Sequence, residues 1–581
     1  MGLIKPSDPF PRRGDFADLK EREKIDDGIS SRKPIYFMPV SLNESPFGDY
    51  KIYLHGCLLS GDKATVIINK TPIFFDIRIP EGVSSSKFKN DVIKVHMDHN
   101  IKIGRMDVFN ALAFKGYGRR GNYMRIYNDT IKERKTLIQF FDSNKYILQR
   151  DGKKEQIAYE TAYDDLSCYY RKATRENNFS ISDWCLIKQY TITKNSTISK
   201  ADYTINCNYK DIEAQRIDKT KDENMIYAND KTMVMSWDIE THSYAEDGGV
   251  PLPERDTDEM FMCGITFNWR YTKKPFLRVG IVTRDCDFDP ETMDILIRAA
   301  DEREMLMCFA KLIQSMLPDF VTEFNGGQYD WPWFLDRAAR YNVLLPMLRQ
   351  MSIMKTDQSL TAESAKWFIK TNEIKIEAEK KHKVQYVRAP GFEAMDVCPQ
   401  MRRLYKTSEQ YSLKFFLDQC KLSSKLDMPY TRLQEIFRQS DNLDDVMVNK
   451  WIKKQSLDIS IEQFRKRASK NMAEAMNYCL IDAQRCQDLL LFKNIICDIR
   501  EVASQSYTSI YDGIYLADGM KVKNMLLYWA MKRGLEPSTI AHPTTTAKFP
   551  GAYVVPPEIG LENKRPVTGL DFASLYPSLI M

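Results

Sequence analysis

From Tyr50 the chain runs in short alternations of apolar and polar residues, KIYLHGCLLS, KATVIINK and IFFDIRIP, with the turn residues Gly61-Asp62 between the first two. Successive side chains of a strand point to opposite faces, so runs of this length and rhythm predict a β-rich module. Residues 130–142 (TIKERKTLIQFFD) change to helical spacing and predict an amphipathic helix. A second helical stretch is expected over 154–175, and a strand over 183–194 (DWCLIKQYTITK). Residues 1–34 are polar and basic and predict a loosely ordered segment, while 211–231 is dense in charge without periodicity and marks a domain boundary.

Beyond that boundary strands and helices interleave. VMSWDIE, FMCGITFNW and FLRVGIVTR predict strands, with a Gly/Pro-rich loop at 243–258. A helix over 301–316, the short strand FVTEFN and a helix over 332–350 follow. The charged segment 371–388 predicts a solvated helix or hairpin, and 471–496 a long helix with Met472, Met476, Cys479, Ala483 and Leu490 on one stripe. The expectation is a mixed α/β and α+β multidomain chain: a β-rich N-terminal domain at 1–230, an α/β domain at 231–500 and the start of a third domain at 501–581.

Composition narrows the field. A length of 581 residues suggests roughly three to five domains, and 43% hydrophobic with 12% aromatic residues excludes a disordered polymer. Lys+Arg number 84 against 79 Asp+Glu, so a nucleic-acid partner is permitted, through local patches, and not demanded. None of the 12 cysteines forms a C-x-x-C pair, so structural zinc is not expected and free thiols in a reducing compartment are. Residues 1–35 lack an apolar signal core and no run of about 18 apolar residues occurs, so neither secretion nor a membrane span is expected. The last residues, Ser-Leu-Ile-Met, stop inside an apolar run, which suggests truncation.

Three segments carry candidate chemistry. Asp238 and Glu240 share one face of a strand, where two repelling carboxylates make sense around a divalent ion of the Mg²⁺ or Mn²⁺ type. A solvated strand end is the commoner meaning of D-x-E taken alone. In Asn325-Gly326-Gly327-Gln328-Tyr329-Asp330 the glycines allow a tight turn, and Asp330 is either a further ligand, a helix N-cap, or both. Tyr478 and Asp482 lie one turn apart on the long helix, at the margin of its apolar stripe. Four carboxylates can hold two divalent ions about 3.5–4 Å apart, with Tyr478 orienting a water.

In this order the segments resemble the DEDDy 3′→5′ exonucleases of family B DNA polymerases. S-W-D-I-E-T resembles the first exonuclease motif, F-N-G-G-Q-Y-D-W-P the second, with Tyr329 where Phe is more usual, and Y-C-L-I-D the third. EAMDVCPQMRRLYKTSEQYSLKFFLDQC resembles the segment between the second and third. The resemblance implies an RNase H-like exonuclease domain. In it Asp238, Glu240 and Asp482 hold one ion, Asp238 bridges to a second, and Asp330 reaches that one through water.

The end of the chain, G-L-D-F-A-S-L-Y-P-S-L-I-M, resembles the first catalytic motif of the family B palm. By that resemblance Asp571 ligates both polymerase metals, the Phe572 carbonyl ligates one, amides around Ser574 and Leu575 meet the triphosphate, and Tyr576 lies under the sugar. Lys548-Phe549-Pro550-Gly551-Ala552-Tyr553 resembles the family's Y-x-G-G/A element, with Phe549 for Tyr. No K-x-x-x-N-S-x-Y-G motif and no D-T-D strand follow Asp571 in these residues, so only part of a polymerase site is expected. YCLIDAQRCQDLL and YTSIYDGIYLADG are most similar to polymerases of large cytoplasmic DNA viruses, the African swine fever virus group in particular.

The implied substrates are primer-template DNA, single-stranded 3′ ends and dNTPs, with a sliding clamp or processivity factor as candidate partner. The implied place is inside the cell, the host cytoplasm or the nucleus if viral. A free-standing DEDD nuclease and a non-catalytic scaffold remain as alternatives. Lys115-Gly116-Tyr117-Gly118 begins like an RNA-recognition element, but continues Arg119-Arg120-Gly121-Asn122 and reads better as a basic hairpin tip.

Overall fold

The computed structural model describes residues 2–45, 49–99, 102–113, 120–150, 152–161, 168–215, 230–244, 249–377, 380–424, 428–441, 444–537 and 553–581. Residues 1–539 make one compact unit and 540–581 a second.

The alternating runs of the N-terminal part build two sheets. One has seven strands, in the order Thr191–Lys194, Tyr203–Asn208, Lys63–Asn69, Lys51–Leu58, Ile35–Ser45, Cys185–Ile187, Ile212–Ala214. The other sets Leu535–Glu536, Met106–Ala113, Arg120–Asn128 and Ile73–Arg78 side by side. Phe75, Ile77, Met124 and Ile126 of that sheet pack on Phe88, Leu137 and Phe141 from the helices Ser85–His99 and Ile131–Ser143. The second helix starts where its sequence says it should: the Thr130 hydroxyl accepts from the Glu133 N–H while the Glu133 carboxylate accepts from the Thr130 N–H.

Several elements differ from the expectation. The 154–175 region opens with the strand Lys153–Ala158, hairpinned to Lys145–Arg150, and its helix is only Tyr170–Asn177. The expected strand at 183–194 is two short strands. The helix at 332–350 is interrupted by Asn342 at φ +56°. Of the two forms expected for 371–388 the chain takes the hairpin, Ile369–Lys375 with Lys381–Val387, but one face of it is buried through Ile374, Val384 and Tyr386. Residues 1–34 are not loose. Leu3–Ile4 adds a parallel strand to the sheet described next, and Arg13 is 1% exposed.

That next sheet carries the candidate site. Its strands, in chain order, are β1 (Leu3–Ile4), β2 (Met233–Ser243), β3 (Asp258–Trp269), β4 (Leu277–Val282), β5 (Ile295–Arg298), β6 (Phe320–Glu323) and β7 (Glu393–Asp396). They lie in the order β1-β5-β4-β3-β2-β6-β7. The β4-β3-β2 meander is antiparallel, and β6 and β7 extend it in parallel, the RNase H-like arrangement. Helices α1 (Glu302–Met316) and α2 (Asp330–Arg340) cover one face, and α3 (Ile461–Phe492) crosses the other.

A buried charge cluster joins the first residues, the seven-stranded sheet and this domain. Asp319 accepts from Arg13 at 2.8 Å, from Lys63 at 2.6 Å and from the Met233 N–H at 2.8 Å. Arg13 also donates to the carbonyls of Gly61 and Leu317, and Lys63 to that of Gly391. Burial alone would raise the Asp319 pKa, but the two cations more than offset it and hold the carboxylate below its ordinary value.

Candidate active site

Alternation along β2 sends Trp237 and Ile239 to one face of the sheet and Asp238 and Glu240 to the other. Trp237 is fully buried, its ring 4.8 Å from Phe309, 5.0 Å from Trp331 and 4.8 Å from Phe334. That aromatic wedge sets the rotation of the strand and turns both carboxylates toward α3.

Two glycines let α3 approach. Asp238 pairs with Gly264 on β3, and Gly264 pairs with Gly280 on β4. A Cβ at position 264 would lie 2.9 Å from the Cys479 carbonyl carbon, the Cys479 Sγ and the Leu480 nitrogen; one at 280 would lie 2.7 Å from the Met476 Sδ. The helix therefore rests in a trough across the sheet, with Tyr478 and Asp482 beside β2.

The Tyr478 hydroxyl donates to Asp482, and burial together with Asp482, Glu240 and Asp238 pushes its pKa well above the ordinary phenol value. Asp238 and Glu240 are half-buried, and Asp482 is 8% exposed. One ligand atom from each of Asp238, Glu240 and Cys479 lies within 4.8 Å of the others. The Cys479 thiol donates to the Asp238 carbonyl at 3.4 Å. Burial keeps that thiol protonated. Oxygen ligands of this kind suit a hard divalent ion, so the residues fit the group expected from the sequence.

Asp330 opens α2 itself; the N-cap position is Tyr329, which makes no side-chain cap, so the capping alternative is corrected. Its carboxyl group accepts from the Ile239 N–H, which ties it to β2 between Asp238 and Glu240. Burial pushes its pKa up to about 7, against the backbone N–H groups it accepts from and with Asp396 adding to the rise. The Tyr329 hydroxyl lies 2.7 Å from Thr241 Oγ1, a bond the usual Phe could not make. Asn325 takes φ +61°, and a Cβ at Gly327 would lie 2.7 Å from the Val384 Cβ, so the double glycine answers to close packing.

Two more buried carboxyl groups belong to this neighbourhood, and the sequence did not single them out. Asp396 accepts from the N–H groups of Asn325 at 2.8 Å and Gly327 at 3.2 Å, holding the turn that delivers Asp330, and from Cys398 at 2.9 Å. Its available signal was an Asp directly before a helix, Val397–Leu404. Glu323 is 1% exposed, and burial with Asp396 and Asp330 nearby pushes its pKa far up.

The remaining candidate residues lie in the second unit. Asp571, Phe572, Ser574, Leu575 and Tyr576 are exposed, and Leu575–Ile580 forms a short helix after Ser574 at φ +52°. Lys548–Ala552 and Lys115–Gly118 fall outside the described residues. Among the described residues no helix is long and apolar enough to cross a membrane.

Comparison with known proteins converges on one family. The model of the DNA polymerase family B exonuclease domain matches residues 159–415, a span that takes in the first two carboxylate segments and ends before Tyr478. The DNA polymerase beta of African swine fever virus is 32% identical over 567 residues, 96% of this chain and 42% of the viral protein. The DNA polymerase delta catalytic subunit of Mesocricetus auratus is 25% identical over 60% of this chain and 27% of its own length. Among solved structures, the family B DNA polymerase of the archaeon Pyrobaculum calidifontis superposes with a TM-score of 0.52 at 12% identity, covering 86% of this chain and 51% of that one, a likeness of fold. The chain thus spans less than half the length of the curated relatives it matches.

Proposed function

This chain belongs to DNA polymerase family B, whose exonuclease domain it carries, and from that premise we propose that it removes nucleotides from the 3′ end of single-stranded DNA, proofreading for template-directed synthesis by the whole protein. The observation that supports this reading best is the trough across the sheet, which sets Tyr478 and Asp482 beside Asp238 and Glu240 while the Ile239 N–H holds Asp330 next to them.

Family B exonuclease domains depend on divalent metals, and we assign two Mg²⁺ or Mn²⁺ ions to the site. Asp238, Glu240 and Asp482 would hold one, and Asp238 with Asp330 the other. Bound divalent ions supply an acidified water and neutralise charge on the leaving 3′-oxygen. Tyr478 orients the attacking water through its hydroxyl, which a phenol keeps protonated at neutral pH. Asp396 positions Asp330 by holding its turn.

In the second unit, Asp571 with the Phe572 carbonyl, the amides of Ser574 and Leu575 and the Tyr576 ring would contribute to the nucleotidyl-transfer site of the whole protein. Primer-template DNA and dNTPs are its proposed substrates, and a sliding clamp or processivity factor its candidate partner.

The test is polarity. Single-stranded DNA labelled at the 5′ end should give a ladder shortening from the 3′ end with Mg²⁺ or Mn²⁺ and none with EDTA. Loss from the 5′ end would overturn the reading.

A further inference from the structure

A cleft of about 540 Å³ opens beside the turn of the hairpin Ile369–Lys375 and Lys381–Val387. Three separate segments wall it. The hairpin turn supplies Lys375 and Glu377, the end of the helix Val397–Leu404 and the residues after it supply Arg403 and Lys406, and the start of the helix Asp518–Lys532 supplies Asp518.

The charges on these walls do not cancel. Glu377 is paired with Lys380 at 3.1 Å and Asp518 with Lys521 at 3.0 Å, so both acids are neutralised by cations that do not line the cleft. Lys375, Arg403 and Lys406 have no carboxylate within ion-pair distance among the described residues. The Asp518 carboxylate is held below its ordinary value by its bond to Lys521 first, and then by the charges of Arg403 and Lys406.

Arg403 is fixed in place by neutral acceptors. Its Nε donates to the Lys375 carbonyl at 3.4 Å, and its Nη1 to the Gln400 Oε1 at 3.2 Å and the Ile514 carbonyl at 3.1 Å. Its Nη2 makes no hydrogen bond among the described residues and is not sealed from solvent. The buried guanidinium groups of Arg13, Arg171 and Arg337 each sit on a carboxylate, whereas this one sits on carbonyl oxygens with its charge uncancelled and one nitrogen to spare.

We propose that this cleft binds phosphate groups, with Arg403 Nη2 as the fixed donor and Lys375 and Lys406 as flexible counter-charges around it. A planar guanidinium held at one edge presents the other to an anionic oxygen, and ammonium groups on long stems follow as point charges. The same chemistry is offered by a phosphodiester of single-stranded DNA and by a free polyphosphate. The proposal needs neither metal nor any carboxylate of the candidate active site, so it stands or falls apart from the cleavage reading.

Two measurements on the 581-residue chain in EDTA test it. Lysine acetylation read by mass spectrometry reports the place: oligo(dT) or tripolyphosphate should protect Lys375 and Lys406 several-fold and leave the exposed Lys20 and Lys132 reactive. Protection by the oligonucleotide alone assigns the strand, by tripolyphosphate alone the free anion, and by both a phosphate of either source. Fluorescence anisotropy with labelled oligo(dT) over a salt series reports the charge. The slope of log K against log salt should be shallower by about 1.4 when Lys375→Gln and Lys406→Gln are combined, about 0.7 for each cation withdrawn. The matched change Lys20→Gln with Lys132→Gln should leave it as in wild type. Arg403→Lys keeps the charge and loses the fixed edge, so binding should weaken several-fold at an unchanged slope. Near-UV circular dichroism reports that each variant is folded. Protection of neither cleft lysine by either anion would overturn the proposal. So would protection by the strand with a slope that changes no more in the cleft variant than in its matched control.

Discussion

Asp238 stands at the centre of the candidate site, half-buried, with the Cys479 thiol on its own carbonyl and Tyr478 within electrostatic reach. Replacing it removes the ligand proposed to be shared by the two ions without opening a cavity in the Trp237 side of the sheet. Asp238→Ala should therefore abolish 3′ cleavage while near-UV circular dichroism stays that of wild type; a folded variant with undiminished cleavage would refute the site. A second residue-scale prediction concerns Glu393 on β7, 4% exposed, whose pKa burial pushes up to about 7 against Arg388 and the Ser41 hydroxyl. The folded state holds a proton that the unfolded state releases near its ordinary value of 4.5. The stability this proton contributes is complete below that value and is lost as pH rises to about 7, a change on the order of 3 kcal/mol. Glu393→Gln cannot titrate, so its Tm should fall less than that of wild type between pH 5 and pH 8, and parallel curves would sink the assignment. What the sequence made legible at this scale was the set Asp238, Glu240, Asp330, Tyr478 and Asp482, because each sits in a short string with its own rhythm. Asp396 and Glu323 were illegible because their partners come from distant strands and turns, and a buried carboxyl group has no local pattern.

At the scale of elements, the row Asp238-Gly264-Gly280 decides how close α3 comes to the sheet. The two glycines are not equivalent. A methyl group at 264 meets helix backbone at 2.9 Å, whereas one at 280 meets the flexible end of Met476. Gly264→Ala should push α3 off β3, lower stability by about 1–3 kcal/mol and cost most of the nuclease activity, since Tyr478 and Asp482 ride on the displaced helix. Gly280→Ala should be absorbed by a Met476 rotamer change and keep the greater part of both. Denaturant midpoints and cleavage rates of the two variants side by side check this, and equal losses would mean the trough does not set the distance. Long elements with a clear rhythm were readable from the chain: β2, β3, β4 and α1 appear where alternation and helical spacing put them. Boundaries were less so. The helix expected at 471–496 is a 32-residue helix beginning at Ile461 under a Ser460 cap and ending before Asn494, which takes φ +54°. The hairpin over 369–387 was ambiguous because its buried face, Ile374, Val384 and Tyr386, is split by the charged run between its two strands, which hides the period.

At the scale of the whole molecule, the first residues prove to be part of the architecture, and their apparent looseness in sequence has a physical reason. A basic, polar stretch looks solvated unless its cations have buried partners, and the partner of Arg13 lies 306 positions away at Asp319. Only the fold brings Arg13, Lys63 and Asp319 together, with side chains that are 1%, 0% and 0% exposed. An ion cluster this deep adds little net stability over a well-packed apolar substitute, because desolvation cancels much of the attraction, but removing one member leaves the others charged and uncompensated. Asp319 neutralises two cations and also accepts from the Met233 N–H at the start of β2, so it is the costliest member to lose. Asp319→Ala should destabilise the chain by about 3–5 kcal/mol and loosen the N-terminal sheets from the exonuclease domain. The combined change Arg13→Met, Lys63→Met and Asp319→Leu removes all three charges and should recover a large part of that loss. Tryptophan fluorescence during urea unfolding measures the first effect, and limited trypsin digestion measures the second through faster release of the segment before Met233. If the triple variant proved less stable than Asp319→Ala, the cluster would be holding the domains by net attraction, and the account of it as a specificity device joining three parts of the chain would fail.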